Sequence, residues 1–320
     1  MATLTANTQL TLLELAKSEH NGQMLATAEI LTRVNDILLD APWVPANDRF
    51  SHVTTQRYSL PTGQWRKFNA GVGHHVTQRK QITDTIGMLE DYGLHDKALV
   101  DNAANPAQWR NDENAGVLEG MSQTFATTII YGNQSTDPEQ FTGLAPRLGT
   151  LNTTNVLGAG GTGSDVSSIY VVQWGVDKVH LVYPRGSMLG LSHRDLGEDT
   201  IKDADLNEFQ AYRDHFQLHV GLVVRNPRCI GRVANMETTG SSNIFDEDLL
   251  IKILNRMPMK GRGAVLYANP TVMSQIDIAA KDKGNVWHTI TDPFGNEVLS
   301  FRGIPIRMVE AITDTETAIT

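Results

Sequence analysis

A chain of 320 residues with 40% hydrophobic and 20% charged residues has the length and composition of a soluble globular protein, one large domain or two intertwined ones. Its formal net charge of -9 argues against a surface built to grip nucleic acid, which needs clustered Lys and Arg to neutralise phosphates. A single cysteine excludes an intrachain disulfide and suits a reducing cytoplasm, while the N-terminal Met1-Ala2-Thr3-Leu4-Thr5-Ala6-Asn7 lacks the features of a secretory signal, and no apolar run approaches the ~18 residues of a membrane span.

Residues 1–46 read as two helical pieces, Leu10 to Lys17 and Met24 to Leu39, the second with Leu25, Ala28, Leu31, Ile37 and Leu38 in a stripe and with Pro42 and Pro45 ending it. Such an arm needs a partner surface to cover its stripe. From Phe50 to Lys80 the pattern becomes extended: a strand over Val53 to Leu60, a turn at Pro61-Thr62-Gly63 and a return strand over Gln64 to Phe68 predict a long hairpin. Its positions are mostly polar, and an isolated two-stranded hairpin is marginal in water, so it must lie on something else. Arg49, Arg57, Arg66, Lys67, Arg79 and Lys80 fall in this segment, which contains no Asp or Glu between 49 and 80. A charge run is by default a solvated face, but in an acidic chain this unevenness marks a candidate docking arm.

From Trp109 a helical pattern with Leu118, Met121, Phe125 and Ile129 as its core stripe predicts a helix of about 20 residues, roughly 30 Å long. Asn111 or Asp112 is its expected cap, and Gly132-Asn133 its expected left-handed stop. Asp137-Pro138 then opens a turn, Gly143 permits a bend, and Phe141-Thr142-Gly143-Leu144 leads to Arg147. The apolar stripe alone describes any amphipathic core helix. The joint order of helix, Gly-Asn, Asp-Pro and Phe-x-Gly-Leu is far more specific.

Beyond residue 150, strands and helices alternate. Ser167 to Trp174 and Val179 to Tyr183 read as a hairpin turning at Gly175-Val176-Asp177, and Phe216 to Arg225 as a buried strand. Phe245 to Asn255 reads as a helix with Asp246, Glu247 and Asp248 at its start, Ala264 to Ala268 as a short strand, Asn269-Pro270 as the opening of a helix to about Lys283, and Phe301 to Val309 as a closing strand.

In this order the chain resembles the major capsid proteins of tailed phages of the Hong Kong 97 type, nearest to those of epsilon15-like short-tailed phages. The resemblance implies an α+β Hong Kong 97-like fold: an N-terminal arm (1–46), an extended hairpin loop (47–95), a peripheral domain with a long spine helix (96–150), an axial domain (151–295) and a return strand (296–320). It implies inter-subunit contacts by Arg57, Trp65, Arg66, Lys67, Arg79 and Lys80 on the extended loop. The implied function is mechanical: hexamers and pentamers closing an icosahedral shell around double-stranded DNA, in the virion after assembly in the host cytoplasm. DNA would be touched non-specifically, since an acidic inner wall lets it slide. Expected partners are a separate scaffolding protein, because only a short arm precedes the hairpin, together with a portal and a decoration protein. No membrane partner is expected. Two rivals stand beside this reading, an encapsulin-like compartment and a soluble α+β hydrolase.

No catalytic, cofactor or metal residues are assigned. Gly158-Ala159-Gly160-Gly161-Thr162-Gly163 matches a dinucleotide pattern, but the segment after it reads as a strand where a helix is required, so it reads as a flexible connector. His215 and His219 share a face as strand residues without further ligands, and His74-His75 reads as a loop tip. Ser192, His193 and Asp195 are adjacent in sequence, not convergent from separate elements. The acids Asp195, Glu198, Asp199, Asp203, Asp205 and Glu208 read first as solvated loop and helix residues, and second as a docking face. Cys229 reads as a buried small hydrophobe.

Overall fold

The computed structural model describes residues 19–20, 23–24, 35–152, 154–186, 191–203, 205–281, 287–291 and 297–320. The helix expected over Leu10 to Lys17 and most of that over Met24 to Leu39 lie outside the described residues. What is described is β1 (Glu19–His20) paired antiparallel with β2 (Gln23–Met24), then one turn of helix, α1 (Ile37–Asp40), which ends ahead of Pro42. The chain forms two compact units. One comprises Met88–Ala126 and Met188–His219 together with β1 and β2; the other comprises Val34–Gly87, Thr127–Ser187 and Val220–Thr320.

In the first unit, β6 (Gly87–Asp96) leads into α2 (Lys97–Asn102), capped by the Asp96 carboxylate on the Ala98 N–H, and then into α3 (Pro106–Tyr131). The long helix starts earlier than the sequence suggested. Pro106 supplies the first helical residue and Asn105 Oδ1 accepts from the Gln108 N–H at 3.3 Å, so Asn105 caps it while Asn111 and Asp112 lie inside. Met121, Phe125 and Ile129 are 6%, 6% and 0% exposed, but Leu118 is 38% exposed and falls off the buried stripe. Leu99, Val100, Ala103 and Trp109 form a small core with Tyr212 packed against it. The strands β10 (Leu191–Lys202) and β11 (Glu208–Val224) pair antiparallel around a bulge at Asp195/Gly197, and β6 joins β11. The acids from Asp195 to Asp199 therefore stand on a strand, not on a loop or helix as expected.

In the second unit, β4 (Ser51–Ser59) pairs with β5 (Gln78–Thr85). The expected return strand over Gln64 to Phe68 does not form; residues 60–77 make the connection instead. Aromatic residues suggested a strand there, yet Trp65 and Phe68 are fully exposed. A second sheet region joins β3 (Trp43–Pro45), parallel, and the end of β11, antiparallel, to β9 (Val179–Tyr183).

The main core of this unit lies on a seven-stranded mixed sheet. Its members are β7 (Val156–Gly158), β8 (Val166–Val172), β12 (Ile230–Glu237), β13 (Val265–Ala268), β14 (Trp287–Thr291), β15 (Glu297–Phe301) and β16 (Ile304–Met308), in the order β14-β15-β16-β13-β8-β12-β7. Every residue of β8 is buried, as a central strand covered on both faces requires. Leu250, Ile253 and Leu254 of α5 (Glu247–Arg256) and Val272 and Ile276 of α6 (Pro270–Ala280) share the core with Ile169, Val171, Val233, Leu266 and Ile306. Asp246 and Asn269 cap these two helices.

Two expectations are corrected here. The strands β8 and β9 are not a hairpin: they join different sheets, because each finds its partners far away in sequence. The closing strand is itself a hairpin, β15 and β16, reversed at Arg302-Gly303, whose φ of 53° and 78° are those of a tight two-residue turn. The Gly158–Gly163 connector runs strand to strand, and its Gly161 N–H donates to Asn235 O at 2.9 Å, so the loop is tied down at its centre.

Candidate assembly interface

After α3, residues 132–147 fold back over the end of the helix. Neither Gly132 nor Asn133 has the positive φ expected of a left-handed stop. Gly132 is required for closeness: a Cβ there would stand 2.6 Å from both Thr128 O and Phe141 O. Gly143 meets the same constraint, with Thr128 O, Ile129 O and Ile130 O at 2.6, 2.7 and 2.9 Å from a Cβ, and its own backbone is extended. The Gly143 N–H donates to Gly132 O at 2.7 Å, Asn133 Oδ1 accepts from the Ser135 N–H, and Gln140 N–H to Asp137 O closes a turn with Pro138 at its second position. This delivers α4 (Leu144–Arg147), with Leu144 fully buried.

Arg147 then fixes the base of the β4–β5 hairpin. Its Nη2 donates to Asp84 Oδ1 at 2.7 Å and to Leu222 O and Thr142 O at 3.2 Å. Gln56 Nε2 donates to Arg225 O at 2.9 Å, and Ile86 packs with Ala46, Val182 and Val223. At Gly221 a Cβ would stand 2.5 Å from Thr85 O, so only glycine admits the hairpin this close. His52 meets the buried His180 edge to face at 5.6 Å. Burial, with the neighbouring His52 adding to it, pushes His180 down to about 4, and burial lowers His52 too, against the pull of Asp84.

Away from this base the hairpin is open. Arg57 and Arg79 are direct partners across the strands, as are Gln56 and Lys80, and Arg57, Arg66, Lys67, Arg79 and Lys80 are exposed. Arg49 and these five make no ion pair with a described residue. Like charges directly opposite each other destabilise a strand pair, and nothing on the hairpin offsets them. Tyr58, Leu60, Trp65, Phe68 and Val76 are exposed around the cations. Large aromatic side chains beside Arg are the composition of an interface anchor. His74 and His75 lie in the same exposed connection.

In the first unit, the structure assembles a polar network that local spacing did not reveal. Asp214, almost fully buried on β11, accepts from Arg110 Nη2 at 2.9 Å and Asn114 Nδ2 at 3.0 Å and meets His193 Nε2 at 2.9 Å; Asn114 Oδ1 in turn meets His95 Nε2 at 3.0 Å. Burial opposes the Asp214 charge, but the hydrogen bonds from Asn114, Arg110 and His193 outweigh it and hold the carboxyl below its ordinary range. The histidine adjacent to Ser192 thus converges with an acid on a different strand. Its ring stacks on Phe216, and its one hydrogen bond among the described residues is to Asp214. The signal was the polar Asp214 in an otherwise apolar alternation through Phe216 and Leu218. His215 bonds Glu90 and stacks on Tyr92. No group of metal-ligating side chains occurs among the described residues.

The acidic run is also internally paired: Asp195 with Arg110, Glu198 with Lys97, Asp199 with Arg213 and Glu208 with Lys202, while Asp203 accepts from Asp205 and Asn207 N–H groups. Cys229 is buried, which raises its thiol pKa. No described helix is long and apolar enough to cross a membrane.

The family model for major capsid protein GP7 matches residues 19–320. The chain is similar to the structure of bacteriophage epsilon15, at 35% identity over 100% of both chains with a TM-score of 0.75. The bacteriophage JBD30 capsid shares the fold at 10% identity, with 94% of this chain and 99% of that one covered and a TM-score of 0.54. The holo-SrpI encapsulin of Synechococcus elongatus is a remote likeness, at 10% identity, 73% and 98% coverage and a TM-score of 0.45. No curated protein matches the chain.

Proposed function

The chain belongs to the major capsid protein GP7 family, so it is a tailed-phage shell subunit with a Hong Kong 97-like α+β fold, and we propose that the β4–β5 hairpin is the arm by which each copy grips its neighbour. One observation carries this reading. The hairpin is clamped at its base by Arg147 and Gly221, while its distal part carries unneutralised cations and exposed aromatics. A segment anchored this firmly and so poorly satisfied at its far end gains its missing partners from another copy. Arg57, Trp65, Arg66, Lys67, Arg79 and Lys80 are the contact residues, with Trp65 as the apolar anchor.

In the same reading, copies gather as hexamers and pentamers into an icosahedral shell around double-stranded DNA, assembled in the host cytoplasm with a separate scaffolding protein, a portal and a decoration protein. A separate N-terminal arm is 1–46, the extended loop that carries the hairpin 47–95, the peripheral domain 96–150, the axial domain 151–295 and the return strand 296–320. Its role is mechanical, with no catalytic step. A photo-crosslinking amino acid at position 65 tests the arm in assembled particles. Subunit-to-subunit adducts are expected in shells seen by negative stain; closed shells that yield only intrachain adducts would overturn the assignment.

A further inference from the structure

The strands β7, β12, β13 and β16 all begin at one end of the seven-stranded sheet, and cations collect there in an acidic chain. Arg228 precedes β12, Arg262 precedes β13, Arg302 precedes β16, and Arg256 and Lys260 follow from the end of α5. None makes an ion pair with a described residue. Three of them converge: Lys260, Arg262 and Arg302, with Gly263, Gly303 and the buried Ile304, line a cavity of about 230 Å³.

Two tight turns build its rim. Lys260 has φ 56° and Gly263 φ 74° on one side, and Arg302 has φ 53° and Gly303 φ 78° on the other. A Cβ at Gly263 or Gly303 would meet nothing within 4 Å, so the backbone there is open to a ligand. Three like charges around one opening repel each other, and no described carboxylate lines it. An anion with several oxygens removes that repulsion, and guanidinium forks match the oxygens of a phosphate group in pairs.

We propose that this cavity is a phosphate site, taking either a free phosphate species or a phosphate of enclosed nucleic acid. A phosphate offers more acceptor oxygens than a carboxylate to a three-cation site. The site does not depend on the hairpin's role, so the two readings fail separately.

Calorimetric titration of purified shells with sodium pyrophosphate, at matched ionic strength, tests it. Saturable binding is expected for the natural protein and for a control with Arg185→Ala and Arg194→Ala, two exposed cations outside both the cavity and the hairpin, which removes the same charge elsewhere. The pair Arg262→Ala and Arg302→Ala should weaken binding by about tenfold or more, the loss expected for two charged hydrogen bonds. If that pair does not assemble, the single exposed substitution Lys260→Ala is titrated instead, with a smaller loss expected. Displacement of pyrophosphate by a duplex lacking terminal phosphates assigns the site to nucleic acid, and failure to displace assigns it to free phosphate; both uphold it. No saturable binding, an equal loss in the charge-matched control, or equally tight binding of glutamate would overturn it.

Discussion

At Gly143 a single hydrogen atom separates a tight helix ending from a broken one. An alanine Cβ would lie 2.6–2.9 Å from three successive carbonyl oxygens of α3, all backbone and all committed to the helix terminus. Gly143→Ala should therefore cost about 1–3 kcal/mol or more as an overpacking defect, read as a lower urea midpoint of the subunit. Gly149→Ala, whose Cβ would meet carbonyl oxygens at an ordinary 3.5 Å, should leave the midpoint in place. A matching result for both would show that the helix end yields. His180 supplies a pH-dependent counterpart. Its folded value, about 4, lies below the ordinary histidine value near 6.5, so folding favours the neutral ring. The native advantage is complete above about pH 6.5, shrinks as the unfolded chain takes up its proton, and has gone once pH falls through about 4. Melting temperature should drop over that window, and drop less steeply in His180→Gln. Parallel profiles would remove His180 as the cause. Residues such as Gly143 and Asp214 show what a sequence conceals. The need for glycine was legible at Gly132, as a left-handed stop, and at Gly143, as a bend, but the reason at both, a close approach to carbonyls, depends on a fold-back that local spacing does not report.

At the scale of elements, α3 separates core from surface along one helix. Phe125 is 6% exposed and Leu118 is 38% exposed, although both fit the same helical spacing. Phe125→Ala should destabilise the subunit by about 3–5 kcal/mol, whereas Leu118→Ala, with little transfer free energy to lose, should stay within about 1 kcal/mol. Chemical denaturation of both variants checks the difference, and equal losses would place Leu118 in a buried contact. The helix was readable because periodicity over many residues is a strong signal, as were the starts of α5 and α6 from the acids Asp246 to Asp248 and from Asn269-Pro270, though the capping bonds of Asp246 and Asn269 came only with the structure. Pairing was not. The strand β5, Gln78–Thr85, is mostly polar and exposed, so the aromatic run at Gln64 to Phe68 looked the better strand. The chain neighbours β8 and β9 looked like a hairpin because adjacency is the usual rule; their true partners, β12 and β13 for one and β3 and β11 for the other, lie beyond the reach of a local pattern.

For the whole molecule, the question is whether the charge on the hairpin serves the subunit or the shell. Arg57 stands directly opposite Arg79, so the isolated subunit gains nothing from this arrangement and pays a small repulsion for it. Replacing Arg57 by Glu creates an opposite-charge pair across the strands, and Arg66 and Lys67 lie in an exposed connection that no described ion pair restrains. The triple variant Arg57→Glu, Arg66→Glu, Lys67→Glu should therefore fold at least as well as the natural chain, with an unchanged or slightly higher melting temperature. Its assembly should fail. Exposed ion pairs contribute only about 0–1 kcal/mol each, but a set of them on every copy is multiplied through a closed shell. Salt offers an independent lever, since a Debye length near 3 Å at about 1 M screens such pairs, and natural shells should lose integrity there before subunits unfold. Sedimentation and negative stain of both proteins across a salt series read the two effects together. A folded triple variant that closes shells at normal yield, with the natural salt dependence, would reduce the cations to a solvated face and leave the exposed aromatics, Trp65 first, as what holds one copy to the next.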